Sequence, residues 1–293
     1  MSLGAERGYQ YNSILKLITF KDVERFVDLL TAYSIIAFIA YLIATFAIFS
    51  RLFHPQGPNQ LVIMSSGCIA VFIHTLLVHH LLFIQSNEID FNLINVVSLV
   101  ALLISLTVTV MALKYKANLL LPVVYGFSGV WLILANFIPP TIHLLPDNEQ
   151  IMLIAHIIIA LIAYCILIIA TLYAFQVSFI THKLKSKNIS AVNHLPPLMQ
   201  VQHQLFLILA IGTFALFISQ LTGFIFLDNL FSKENAHKTV LSIMALLVYC
   251  AILWGHYKKG WRGHRVLILT IIASFLLTLA YFGSRFVKEF LLS

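Results

Sequence analysis

Twelve histidines are the residues of this 293-residue chain best equipped to do chemistry. Imidazole titrates near neutral pH, and either ring nitrogen can ligate a transition metal. His74, His79, His80 and His156 fall within or beside long apolar runs. His143 and His237 fall in polar connections, while His54, His182, His194, His203, His256 and His264 stand beside basic loops. No two are spaced four apart, so no single helix presents a two-histidine metal clamp. A lone histidine in an apolar run is most simply a neutral ring bonded to a backbone carbonyl. His156 stands out because Ala160, Ala163 and Ala170 follow it on nearly one helix face, by the 3.6-residue period. A ring above a strip of alanines leaves room for a flat group, or for the close approach of another helix. His237 opens a later apolar run and is placed to face His156 across a bundle. Opposed neutral imidazoles are what axial ligation of haem iron requires. His156 and His237 are therefore the candidate cofactor-binding residues and the candidate metal ligands.

Other chemistries lack their residues. Cys68, Cys165 and Cys250 lie inside apolar runs without C-x-x-C spacing and read as small buried hydrophobes. There is no P-loop, no G-x-S-x-G, no H-E-x-x-H and no pair of carboxylates, so an enzyme is not expected. Tyr164, Tyr249 and Tyr281 sit in apolar runs, where each hydroxyl needs a partner. Ser219, Gln220 and Thr222 read as hydrogen-bonders between helices, and Trp131, Trp254 and Trp261 as interfacial anchors.

The elements that must position these residues follow from composition. The chain is 60% hydrophobic and only 10% charged, with mean hydropathy +0.95, where a soluble domain carries about a quarter charged residues. In lipid every backbone polar group must be satisfied within the segment, so the fold class is an all-α polytopic membrane bundle. Spans are expected at 28–50, 60–85, 93–113, 118–138, 151–180 and 201–227, and the hairpin 240–286 supplies two more, making eight. Residues 1–27 mix Lys16, Lys21, Asp22, Glu24 and Arg25 with apolar residues, which predicts a short amphipathic helix lying in the interface. The division is thus an interfacial segment (1–27) and a transmembrane domain (28–293).

Charge sets the expected orientation. With both termini outside, the inner loops hold Arg51, Lys114, Lys116, Lys183, Lys185, Lys187, Lys258, Lys259, Arg262 and Arg265. All eleven carboxylates then fall outside. Arg7, Lys16, Lys21 and Arg25 of the first segment run against this choice, but the inner loops outweigh them. The net charge of +7 is accounted for by these short loops, which leaves the bilayer as the partner and excludes nucleic acid. The interiors of the spans are free of Asp, Glu, Lys and Arg, which disfavours an ion-coupled carrier.

The segments AHIIIALIAYCILIIATLYAF, LPPLMQ, AHKTVLSIMALLVYCAILWGHYKKGWRGHR and LAYFGSRF, taken in order, resemble the cytochrome c assembly protein family. That family includes CcsA and CcmC, and the likeness is greatest to its YpjD-like branch of bacterial inner-membrane proteins. The resemblance implies haem handling near the outer face, with His156 matching a histidine at the outer end of its helix. It also implies a tryptophan-rich outer loop, whereas LDNLFSKENAHK contains no tryptophan. Trp254 stands where CcsA proteins carry a histidine, and no outer histidine follows the last span. The expected function is therefore binding or passing haem, with Lys233, Lys238 or Arg285 available to its propionates. The alternative is a membrane scaffold or accessory subunit that kept the fold and lost the haem site, working through membrane protein partners.

Overall fold

The computed structural model describes residues 28–51, 59–82, 92–114, 120–138, 151–186, 196–226 and 236–283. The expected interfacial helix at 1–27, His54, His143, His194, Lys233, Arg285 and most of the loop before His237 lie outside these residues. Eight helices make up the described part. They are α1 (Asp28–Phe49), α2 (Gln60–Leu82), α3 (Leu93–Lys114), α4 (Leu120–Ala135), α5 (Ile151–Lys185), α6 (Leu198–Phe226), α7 (Ala236–Lys259) and α8 (His264–Thr278). A π-helical turn, Leu279–Gly283, prolongs α8.

Seven of these are long and apolar enough to cross a bilayer. The exception is α4, whose 16 residues span about 24 Å, against a hydrocarbon core of about 30 Å. Three i→i−3 bonds, from the amides of Asn136, Phe137 and Ile138, carry the chain onward in a tighter coil. Pro122 is tolerated because it falls in the first turn of α4, where amides have no helical partner anyway. Asn59 and Asn92 cap α2 and α3, their side-chain oxygens accepting from the amides of Leu61 (3.1 Å) and Asn95 (2.7 Å).

Neighbouring helices run antiparallel, and side-chain pairs fix their register. Tyr41 of α1 meets His74 of α2, and Asn95 of α3 donates to the Leu81 carbonyl of α2. Ser105 of α3 meets Ser128 of α4. Farther along, Thr171 of α5 and Tyr249 of α7 both meet Ser274 of α8. Helices α5 and α6 share the largest interface of the bundle, and two glycines of α6 permit it. A Cβ on Gly212 would stand 2.8 Å from Leu167, and one on Gly223 would stand 3.0 Å from His156. Lipid tails are as apolar as the side chains, so close backbone approach and interhelical hydrogen bonds replace the hydrophobic effect as the cohesive terms. The outward faces accordingly carry bare Phe46, Phe72, Phe127, Phe214 and Phe275.

Candidate functional site

His156 sits on the second turn of α5, half-buried, with its ring turned onto α6. Nδ1 lies 3.1 Å from Thr222 Oγ1, and the Thr222 hydroxyl donates to the Ser219 carbonyl at 2.8 Å. A hydroxyl has one proton to give, so Thr222 accepts from the ring. This network assigns the neutral ring its proton on Nδ1 and leaves the Nε2 lone pair uncommitted by any side-chain hydrogen bond. The Ser219 backbone lies beside the same pair. A ring oriented by a hydrogen bond through one nitrogen is an arrangement that metal-ligating histidines adopt. Its Cε1 edge abuts Gly223, where any side chain would displace it.

The helix face below this ring is filled. Ala160, Ala163 and Ala170 are all buried, so the strip serves helix packing. Deeper still, Tyr164 bonds Thr278 at 3.0 Å and lies edge-on to the rings of both Tyr281 and Phe282, with centroids 5.5 and 5.4 Å away. The wider π turn at the end of α8 brings these two consecutive aromatics to one neighbour. The partners expected for Tyr164, Tyr249 and Thr222 are thus present.

His237 lies on the first turn of α7, exposed. The antiparallel packing puts it at the same end of the bundle as His156. No hydrogen bond or ring contact joins the two histidines among the described residues. No group of three or more His, Cys, Asp or Glu gathers there either. The structure therefore offers one imidazole held by a side-chain hydrogen bond and a second that is exposed.

Sequence reasoning gave His74 no priority, yet it is the most deeply buried histidine, with 0% of its surface exposed. Its Nδ1 lies 3.1 Å from the Tyr41 hydroxyl. Nε2 closes no hydrogen bond of normal geometry, with the Ser98 backbone close by. Tyr41 also packs against Tyr125, which bonds Thr109 at 2.7 Å, so α1 to α4 enclose a second polar centre. Only pairing across helices reveals it; periodicity along one helix could not. Trp131 has a partner that its position in the sequence did not show. Its indole donates to Ser98 at 2.9 Å inside the α3–α4 contact, so it locks two helices together.

Eight described helices, seven of them long and apolar enough to cross a bilayer, define a polytopic helical membrane protein. Residues 62–292 match the Cytochrome C assembly protein family, and the chain belongs to that family. It is similar to the Inner membrane protein YpjD of Escherichia coli strain K12, 37% identical over 88% of this chain and 98% of the relative. A further similarity is to a 28.8 kDa protein in a nifR3-like 5′ region of Azospirillum brasilense, 31% identical over 47% of this chain and 52% of that protein. This is an inner-membrane protein of the cytochrome c assembly family.

Proposed function

We propose that this protein binds or passes haem at the end of the bundle where α5 and α7 begin. His156 would be the principal residue holding it and His237 the second. The observation that carries this reading is the His156–Thr222–Ser219 network, which holds the ring through Nδ1 at this end of the bundle. Bound haem would supply an iron centre with axial positions open to imidazole. The chain's part is then to hold, orient and release. Thr222 orients the His156 ring, Gly223 admits it, and His237 would supply a second, exposed imidazole. Lys238, on the same turn of α7, is a cation suited to a propionate. Turnover of a substrate is not part of this role.

The absence of tryptophan from LDNLFSKENAHK favours a second reading, a scaffold of the same fold without a haem site. Titration of haem into the purified protein in detergent separates the two. The haem reading predicts a low-spin bis-imidazole spectrum that His156→Ala abolishes and His237→Ala converts to a five-coordinate form. A spectrum that never forms, or one indifferent to both substitutions, leaves the scaffold.

A further inference from the structure

At the opposite end of the bundle an open cavity of about 670 Å³ lies between the last turns of α5, the start of α6 and the α7–α8 turn. Its walls carry His182 and Lys185 from α5, facing Lys259, Arg262 and Arg265 from the turn. The turn is tightly built. Gly260 and Gly263 take φ values of 64° and 66°, which side chains rarely adopt. The Gly260 amide closes α7 on the His256 carbonyl at 3.0 Å, an αL cap. Trp261 folds back so that its ring covers Gly255, where a Cβ would collide with it. His256 Nδ1 lies 3.0 Å from the Trp261 carbonyl, and its ring stacks on Phe206 of α6 at 3.3 Å. The cations are thus displayed from a braced loop.

No carboxylate among the described residues stands near them. No Asp or Glu occurs between residues 150 and 227, or between 235 and 288. Asp28, the sole carboxylate among the described residues, begins α1 at the far end. The charge bias that orients membrane proteins requires cations near this boundary, but it does not require them to converge on one cavity. Lys183 shows the ordinary outcome, lying over the Phe179 ring rather than in the cavity wall. The Lys259 ammonium likewise lies over the Trp254 ring, so His182, Lys185, Arg262 and Arg265 are the basic groups that carry the site. Helix α5, with 35 residues, is about 52 Å long and overruns a hydrocarbon core of about 30 Å, so this cavity lies at headgroup depth. Basic pockets between spanning helices at that depth suit phosphate headgroups, and guanidinium pairs phosphate oxygens two at a time.

We propose that this cavity binds a phosphate group, carried by an acidic phospholipid of the adjacent leaflet or by a soluble phosphate compound. The test uses the full chain in phosphatidylcholine nanodiscs, with thermal unfolding as the readout. One arm adds cardiolipin to the discs; the other adds inorganic pyrophosphate to the solution. Stabilisation in the first arm alone assigns the phosphate to lipid, and in the second to a soluble compound. In the responding arm, Arg262→Gln with Arg265→Gln weakens the response about tenfold, while Arg51→Gln, outside the cavity, leaves it intact. Thr181→Trp, which fills the cavity and keeps every charge, also abolishes the response. Failure of both arms overturns the site. So does equal weakening by Arg51→Gln, or a wild-type response from Thr181→Trp.

Discussion

At the scale of single residues, the account turns on how one imidazole is held. Thr222 gives His156 its orientation without touching a ligand, so Thr222→Val is expected to weaken haem binding by roughly 10- to 100-fold. His156→Ala, which removes the proposed ligand, should abolish binding. Spectral titration in detergent distinguishes the two sizes of effect. Gly223→Leu should match the His156 variant, because the new side chain occupies the place of the ring. The sequence singled out His156 by its position near a helix start above three alanines. It did not show that Thr222 would hold the ring, since residues 66 apart in the chain meet only once α5 and α6 are paired. Nor did it show His74, whose neighbour Tyr41 is 33 residues away. Hydrogen-bond partners across helices depend on rotation of each helix about its axis, and uniformly apolar helices carry little pattern to specify that rotation.

Among the elements, cohesion rests on small residues and on hydroxyl pairs between helices. Gly67 of α2 lies against the Tyr125 hydroxyl, and any Cβ there collides with it. Gly67→Ala should therefore cost about 1–3 kcal/mol as an overpacked core site, measured by unfolding in mixed detergent micelles. Tyr249→Phe deletes one interhelical hydrogen bond to Ser274 and should cost only about 0.6 kcal/mol. The larger effect from the smaller residue would show that steric fit outweighs polar pairing here. The spans themselves were legible from the sequence, because twenty apolar residues between polar turns have one structural outcome in a bilayer. Residues 28–50, 93–113 and 201–227 come within a few positions of α1, α3 and α6. What composition could not foresee was the shortness of α4, or the extension of α5 to Lys185 past its apolar stretch. Helix formation there continues into the polar Thr181–Lys185 turns, because Lys, Leu and Gln-like straight chains suit a helix well and nothing in THKLK breaks it.

For the whole molecule, the bundle has two chemically different ends. One bears His156 and His237; the other bears the cations around the α7–α8 turn. We propose that the first end faces outward and the second faces the cytoplasm. A reporter active only in the cytoplasm should be silent when fused after Ser293 and active when inserted at Gly260. Activity at the former site would reverse the orientation and move the haem site to the inner face. The two ends also make independent demands: Arg262→Gln with Arg265→Gln should leave haem binding unchanged, since no described contact links that turn to His156. The most direct measurement of the central claim is haem content after gentle purification from the membrane, assayed as pyridine haemochrome beside His156→Ala at equal yield. The account predicts stoichiometric haem with the parent protein and none with the variant. Haem absent from both, or present equally in both, would contradict it.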